Sequence, residues 1–448
     1  MAPSARYESD NLDPAPLGKP LAFPFSGRTA SNRFMKAAMT ERISSWDPKT
    51  PEVRGVPSKE LINVYKRWGE GGYGVVLTGN ILIDYINLEA RGNPIIPADA
   101  PFEGERFEAF QEMAAQGTKE GSLLVGQVSH PGRQVQDKLQ PHPVSASAVQ
   151  LEGNTMGMTF AKPRAATEED IKGFIEGWAH AAEYLERAGY DGIQLHGAHG
   201  YLLAQFISQT TNHRTDAYGG SLENRARLIT DIAKAVRART KPSFILGIKL
   251  NSVEFQEKGL QPDEAKELCK LLEGATFDFV ELSGGTYQQL AFQHQRESTR
   301  KREGFFLEWA ELIAPALKKT KVYVTGGFKT VGAMVSALDA VDGVGLGRPA
   351  CQEPRLPHDI LSGKIKGAIK MGFDEDDFGS TVVAAGTHIG EIGKDQEPLD
   401  LSREENLQGY MKDFAAFREK MAQDTEMREQ AYVDVKSVPL APYGSVGV

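Results

Sequence analysis

Cysteine is almost absent: the 448 residues hold two, Cys269 and Cys351, far apart and in no Cys-x-x-Cys pair. They can build neither a disulfide framework nor an iron–sulfur cluster, so any redox chemistry would rest on a bound organic cofactor. Long apolar runs are missing too, and none approaches the roughly 20 residues of a membrane span. Positive charge is not in excess: 51 Lys and Arg against 60 Asp and Glu give a formal net charge of -9. With no basic run carrying interleaved aromatics, a nucleic-acid surface is disfavoured. The first ten residues, Met1 to Asp10, have no apolar stretch behind a basic start, so no secretory signal is expected and the chain reads as cytoplasmic. No Gly-x-Gly-x-x-Gly follows the first apolar run, which weakens an open dinucleotide-binding sheet.

What the chain does have is alternation. Short apolar runs cover Phe34 to Met39, Gly74 to Leu77, Leu123 to Val128, Gly192 to Leu195, Phe244 to Leu250, Phe277 to Leu282, Val322 to Thr325 and Val341 to Leu346. Between them lie stretches with helical spacing, such as Leu61, Tyr65 and Trp68, or Ile171, Phe174, Trp178, Ala181 and Leu185. Thr167-Glu168-Glu169-Asp170 opens the latter as a capping box, and a further helix is expected from Leu222 through Val236 after Ser221. Eight strands alternating with helices indicate an α/β fold, a closed (β/α)8 TIM barrel, since an open doubly wound sheet more often stops at five or six.

The densest group of reactive side chains directly follows the fourth run. His196, His199 and Tyr201 fall within His196-Gly197-Ala198-His199-Gly200-Tyr201, at the carboxyl end of a strand, where barrels of this kind place their chemistry. Two imidazoles can donate hydrogen bonds to an oxygen gaining negative charge, and a phenol can deliver a proton to a neighbouring carbanion. Other readings stay open at this point. The His pair could cap backbone carbonyls in a Gly-rich turn, or form half of a metal site, although no second ligand cluster accompanies it.

The last two runs supply a separate clue. Thr325-Gly326-Gly327-Phe328 ends the seventh and Gly345-Leu346-Gly347-Arg348-Pro349 the eighth. Glycines let backbone N–H groups approach an anion, an arginine adds a charged fork, and the loops after strands seven and eight are where this fold holds phosphates. Gly326, Gly327, Gly347 and Arg348 are therefore candidates for a phosphate-bearing ligand.

The register changes near Asp374. Residues 1–372 read as the barrel domain and 373–448 as a C-terminal extension, which runs from Asp374-Glu375-Asp376-Asp377 through Gly-rich sequence to Ser402-Arg403-Glu404-Glu405. The last motif looks like a capping box opening an amphipathic helix with Leu407, Met411, Phe414, Phe417 and Met421 on one face. Packing against the barrel exterior or a partner subunit is the expected role, and it makes a homodimer plausible.

These residues together resemble the Old Yellow Enzyme family of flavin-dependent ene-reductases, over roughly residues 18 to 360. The most specific part is His196 to Tyr201 with Gln205-Phe206, followed by Asn212 through Arg225 (NHRTDAYGGSLENR). Supporting blocks are Asn32 to Thr40, Gly126 to Arg133 and Gly345 to Pro349. The resemblance implies a barrel with non-covalent FMN, reduced by NADPH or NADH and reoxidised by a small activated alkene. It implies that Thr40 bonds the flavin carbonyl near N5, that Gln127 meets the pyrimidine edge, and that Lys249 lies beside N1. Gly326, Gly327, Gly347 and Arg348 would hold the phosphate, His196 and His199 the substrate oxygen, and Tyr201 the proton.

The chain departs from the family pattern in three places. Lys249 stands where an arginine is usual, Glu41 and Arg42 follow Thr40 where part of the family has a pocket-lining aromatic, and the tail is longer. The alternatives on this scaffold are the related dienoyl-reductase group, whose iron–sulfur cluster the two isolated cysteines speak against, a flavin-dependent isomerase, and a non-catalytic flavin- or ligand-binding barrel. Retention of Tyr201 speaks against the isomerase, and the complete His196, His199 and Tyr201 set against the binding protein.

Overall fold

The computed structural model describes residues 4–153, 157–253, 259–284, 303–304, 306–374, 377–429 and 432–445. Each of the eight apolar runs forms a strand: β1 (Phe34–Lys36), β2 (Val75–Leu82), β3 (Leu123–Ser129), β4 (Gly192–Gly197), β5 (Ile245–Val253), β6 (Phe279–Gly284), β7 (Lys321–Thr325) and β8 (Gly343–Leu346). All pair in parallel with their sequence neighbours, and β8 returns to β1 with Gly345 opposite Met35, closing a barrel. The helices α1 (Lys59–Glu70), α2 (Gly104–Thr118), α3 (Glu168–Ala188), α4 (Arg227–Arg239), α5 (Pro262–Gly274), α6 (Leu307–Ile313), α7 (Val331–Ala337) and α8 (Leu356–Leu361) follow the strands in order. This is the (β/α)8 architecture expected from the alternation.

Local chemistry sets the helix ends. Thr167 Oγ accepts from Asp170 N–H while the Asp170 carboxylate accepts from Thr167 N–H, the reciprocal capping box that opens α3. Ser58 and Ser221 act as simpler N-caps. The expected helix from Leu222 is split at Ala226, where the buried Arg225 turns inward to the carbonyls of Gly220 and Ile207 and to Glu264.

Two apolar layers result from strand alternation. Outward-facing strand residues pack with Trp68, Trp178 and Tyr184 of the helix ring, each fully buried and contributing on the order of 2–3 kcal/mol. Inward-facing Met35, Val75, Val125, Ile245, Phe279 and Tyr323 form a separate inner cluster. An antiparallel hairpin, Leu21–Ala22 with Thr29–Ala30, inserts Phe23 beside Phe279 at 5.9 Å between ring centroids. Ser26 N–H in its turn bonds Asp278, just before β6, so the hairpin covers the end of the barrel where strands begin.

The extension differs from its sequence reading in three respects. The Gly-rich stretch forms a helix, α9 (Phe378–Gly393), which Asp377 caps and which lies along α1. Its glycines suit that packing: a Cβ on Gly393 would stand 3.0 Å from Glu60 Cβ, and one on Gly386 only 1.9 Å from the Tyr432 ring. The second long helix, α10 (Glu404–Gln423), has Arg403 at its N-cap with no side-chain capping bond, because Ser402 Oγ donates to Asp400 instead. Its buried face centres on Tyr410, at 1% exposure, which stacks on Phe414, whereas Met411 is 43% exposed. Glu375 and Asp376, part of the expected boundary, lie outside the described residues. Among the described residues no helix is long and apolar enough to cross a membrane.

Candidate active site

The inner layer changes character toward the strand ends. Above the apolar cluster the inward positions become Gln127 on β3, Gln194 and His196 on β4, Lys249 and Asn251 on β5, and Glu281 and Ser283 on β6. Four of them form one chain of bonds. Gln127 Nε2 donates to Gln194 Oε1 at 2.7 Å, Gln194 Nε2 to Glu281 Oε2 at 2.7 Å, and Lys249 Nζ to Glu281 Oε1 at 3.0 Å. All are at most 4% exposed, so Lys249 and Glu281 depend on each other for charge compensation.

His196, His199 and Tyr201 converge on top of this layer. The His196 ring lies edge-on to Tyr201 at 4.6 Å and to His199 at 5.2 Å between centroids. Burial, His199 and the Lys249 cation hold His196 well below the ordinary imidazole value, and burial with Lys249 holds His199 at about 3. Both rings are neutral at pH 7. His196 Nδ1 accepts from Ala198 N–H at 3.3 Å, which leaves its proton on Nε2. His199 is half-buried, with Nε2 3.0 Å from Ser283 Oγ. Its backbone is left-handed at φ 58°, held by Asn251 Oδ1 on its N–H at 3.1 Å and by Gln134 on its carbonyl at 3.0 Å.

The remaining sequence candidates lie around the same rim. Thr40 is in the loop after β1. Gly326 and Gly327 follow β7 with φ of 147° and 81°, conformations that favour glycine. Gly347 and Arg348 follow β8. Gly345 must be small, since a Cβ there would stand 1.8 Å from Thr325 Oγ1. Arg348 Nη1 donates to Thr381 of α9 at 2.7 Å, so this guanidinium is tied to the extension.

Glu41 does not line the pocket rim, contrary to what its position after Thr40 suggests. It is fully buried, accepting from the Tyr65 hydroxyl and from Gly79 N–H, and burial pushes its carboxyl up. Lys36, also fully buried, lies 3.8 Å from the Trp68 ring centroid, and burial pulls its ammonium down to about 8.

Gln194, Glu281, Asn251 and Ser283 were not singled out from the sequence. Their signal was available: Gln194 and Glu281 are polar residues inside otherwise apolar strand runs, which outside a site would be costly. Asn80 Oδ1, Ser129 Oγ, Asn251 Nδ2 and Thr325 Oγ1 are buried without partners on four different strands, near the ends that surround the His pair. Such atoms are costly to leave unpaired, and their concentration at one mouth fits a ligand edged with donors and acceptors. The cation of Lys249 and the glycine turns after β7 and β8 complete a donor set suited to a flavin with a phosphate tail.

The family model described as NADH:flavin oxidoreductase / NADH oxidase matches residues 16–366. The chain belongs to that family. The oxidoreductase is 53% identical over 396 residues to the NADH-dependent flavin oxidoreductase nadA of Aspergillus parasiticus, covering 88% of this chain and 89% of that one. It is 34% identical over 360 residues to the NADH-dependent flavin oxidoreductase iccE of Talaromyces variabilis, covering 75% and 84%. An Old Yellow Enzyme homologue from Zymomonas mobilis superposes with a TM-score of 0.63 at 24% identity, covering 79% of this chain and 94% of that one. At that identity the likeness is one of fold, and it agrees with the closed eight-stranded barrel seen here.

Proposed function

We propose that this oxidoreductase is an FMN-dependent ene-reductase that takes reducing equivalents from NADH or NADPH and delivers them to the C=C bond of an α,β-unsaturated carbonyl or nitro compound. The observation that carries this reading is the convergence of two neutral imidazoles and a phenol over a buried Lys249–Glu281 pair. Bound FMN would supply the hydride acceptor and donor chemistry. The chain's own residues do the rest. Gln127 and Lys249 would hold the flavin ring, Thr40 its edge near N5, and Gly326, Gly327, Gly347 and Arg348 the phosphate.

The His pair acts on the substrate oxygen. A neutral imidazole donates a hydrogen bond without placing a full charge in the pocket, and each such donor at a developing oxyanion contributes about 3 kcal/mol. His196 offers Nε2–H. The same role for His199 requires the tautomer in which the Ser283 hydroxyl donates to Nε2 and Nδ1–H is left for the substrate. Tyr201, buried against His196, supplies the proton to the carbon next to the carbonyl, and hydride and proton arriving on opposite faces give trans addition.

The names of two relatives specify NADH, so NADH is the first reductant to try and NADPH the comparison. The test is direct. The purified chain should show a yellow flavin spectrum, bleach when the reductant is added, and recover its colour on addition of cyclohexenone or a maleimide. A colourless protein that cannot be reconstituted with FMN refutes the proposal.

A further inference from the structure

The loop that carries Thr40 is held in a conformation it would not keep unaided. Arg42 has φ 60°, a region disfavoured for residues with a Cβ, and such strain persists only where the surroundings over-determine it. Besides the Arg42–Glu89 ion pair at 3.3 Å, three clamps hold the loop backbone. The Glu41 carboxylate is fixed by Tyr65 and by Gly79 N–H at 2.8 Å. Gly92 approaches so closely that a Cβ there would stand 2.5 Å from the Arg42 carbonyl oxygen, and the Gly92 carbonyl accepts from Ser44 N–H at 3.0 Å. The third clamp comes from the far end of the chain, where the Tyr432 hydroxyl donates to the Thr40 carbonyl at 2.5 Å.

Tyr432 lies beyond residue 366, where the family match ends. Its buried ring rests on Gly386 of α9, a position that no larger residue could occupy without expelling it, and the Arg42 guanidinium stands 5.6 Å from its centroid. The preceding stretch is fastened to the loops after β1 and β2. Trp46 Nε1 donates to the Met427 carbonyl at 2.7 Å, and Arg91 pairs with Asp424 at 2.7 Å, with side chains only 9% and 4% exposed. Asp424 in turn accepts from Arg428 and Glu429 N–H. Residues 424–429 are thus fastened to the same side of the barrel at which the Tyr432 phenol meets Thr40.

We propose that Tyr432 is a positioning residue for Thr40, so that the C-terminal extension completes the flavin site from within the same chain. The inference rests on the proposed role of Thr40 at the flavin edge. Removing the hydroxyl alone leaves the ring on Gly386 but releases the Thr40 carbonyl, and the strained turn at Arg42 loses one of its backbone restraints.

Tyr432→Phe tests this in the full-length chain. Loss of one hydrogen bond of this kind should speed amide hydrogen exchange across residues 37–44 by about three- to tenfold. In the FMN-loaded protein the dissociation constant for FMN should rise by about the same factor, with a shift of the visible absorption maximum. Thr40→Ala should produce the flavin effects by itself, and Tyr432→Phe added to it should change them no further. Unchanged exchange at 37–44 overturns the proposal, and so does full additivity of the two substitutions. Failure to bind FMN in the unaltered chain would refute the ene-reductase reading instead, while the exchange comparison in the flavin-free protein still decides the role of Tyr432.

Discussion

Glu391 in α9 is a carboxyl group placed where it can hardly ionise. One oxygen accepts from Leu399 N–H at 2.9 Å, the other is buried without a partner, and burial pushes the group up to about 8 from an ordinary 4.5. The folded protein therefore holds a proton here that the unfolded chain releases. Between pH 4.5 and 8 the unfolded state binds fewer protons, so stability falls as pH rises, by about 1.4 kcal/mol for each pH unit. Glu391→Gln removes this dependence while keeping a carbonyl for Leu399. Any packing or hydrogen-bonding change introduced by the amide is constant with pH and cancels when two pH values are compared. The stability difference between variant and parent should thus grow in favour of glutamine by about 2.5 kcal/mol from pH 5 to pH 7 and level off above pH 8. Urea unfolding followed by circular dichroism at several pH values measures it. Parallel stability curves for the two proteins would show that Glu391 is ionised in the fold, and the reasoning would fail.

Tyr201→Phe should leave reduction by NADH nearly intact and slow alkene-driven reoxidation by roughly 100-fold or more, the usual scale for a lost general acid; rapid-mixing measurements that found equal losses in both halves would contradict the proton-donor role. Because His199 titrates at about 3 and His196 well below its ordinary value, the alkene half-reaction should show no imidazole ionisation between pH 8 and pH 5. A break near pH 6.5 would mean that the pair is not held neutral. Lys249→Met should destabilise the fold by about 3–5 kcal/mol, since it strands the buried Glu281 carboxylate, and Lys249→Met with Glu281→Gln should recover much of that loss. Equal instability of the single and double variants in urea would argue against charge compensation.

The eight strands were legible because each is an apolar run bounded by turns, and the opening of α3 because Thr167 and Asp170 satisfy each other locally. The His196, His199 and Tyr201 group was legible because its members are neighbours in sequence. Long-range partners were harder to see. Gln194 and Glu281 are single polar residues in apolar runs, and only the closed barrel brings them to Gln127 and Lys249. Glu41 follows Thr40 but turns into the wall between β2 and α1, a choice dictated by Tyr65 and the Gly79 amide. The helix α9 was hidden by its glycines, which cost about 1 kcal/mol each relative to alanine in a helix interior. At Gly386 and Gly393 tertiary packing overrides that propensity, because the Tyr432 ring and α1 occupy the space a side chain would need.

The Leu21 to Ala30 hairpin has a consequence for traffic through the enzyme. The inner cluster fills the cylinder and Phe23, seated against Phe279, caps its far end, so no passage runs through the barrel to His196. Under the proposed chemistry nicotinamide and alkene would therefore both approach from the His196 side. The hairpin thereby leaves the two reactants a single face of the barrel to work from, the one that carries the reacting groups.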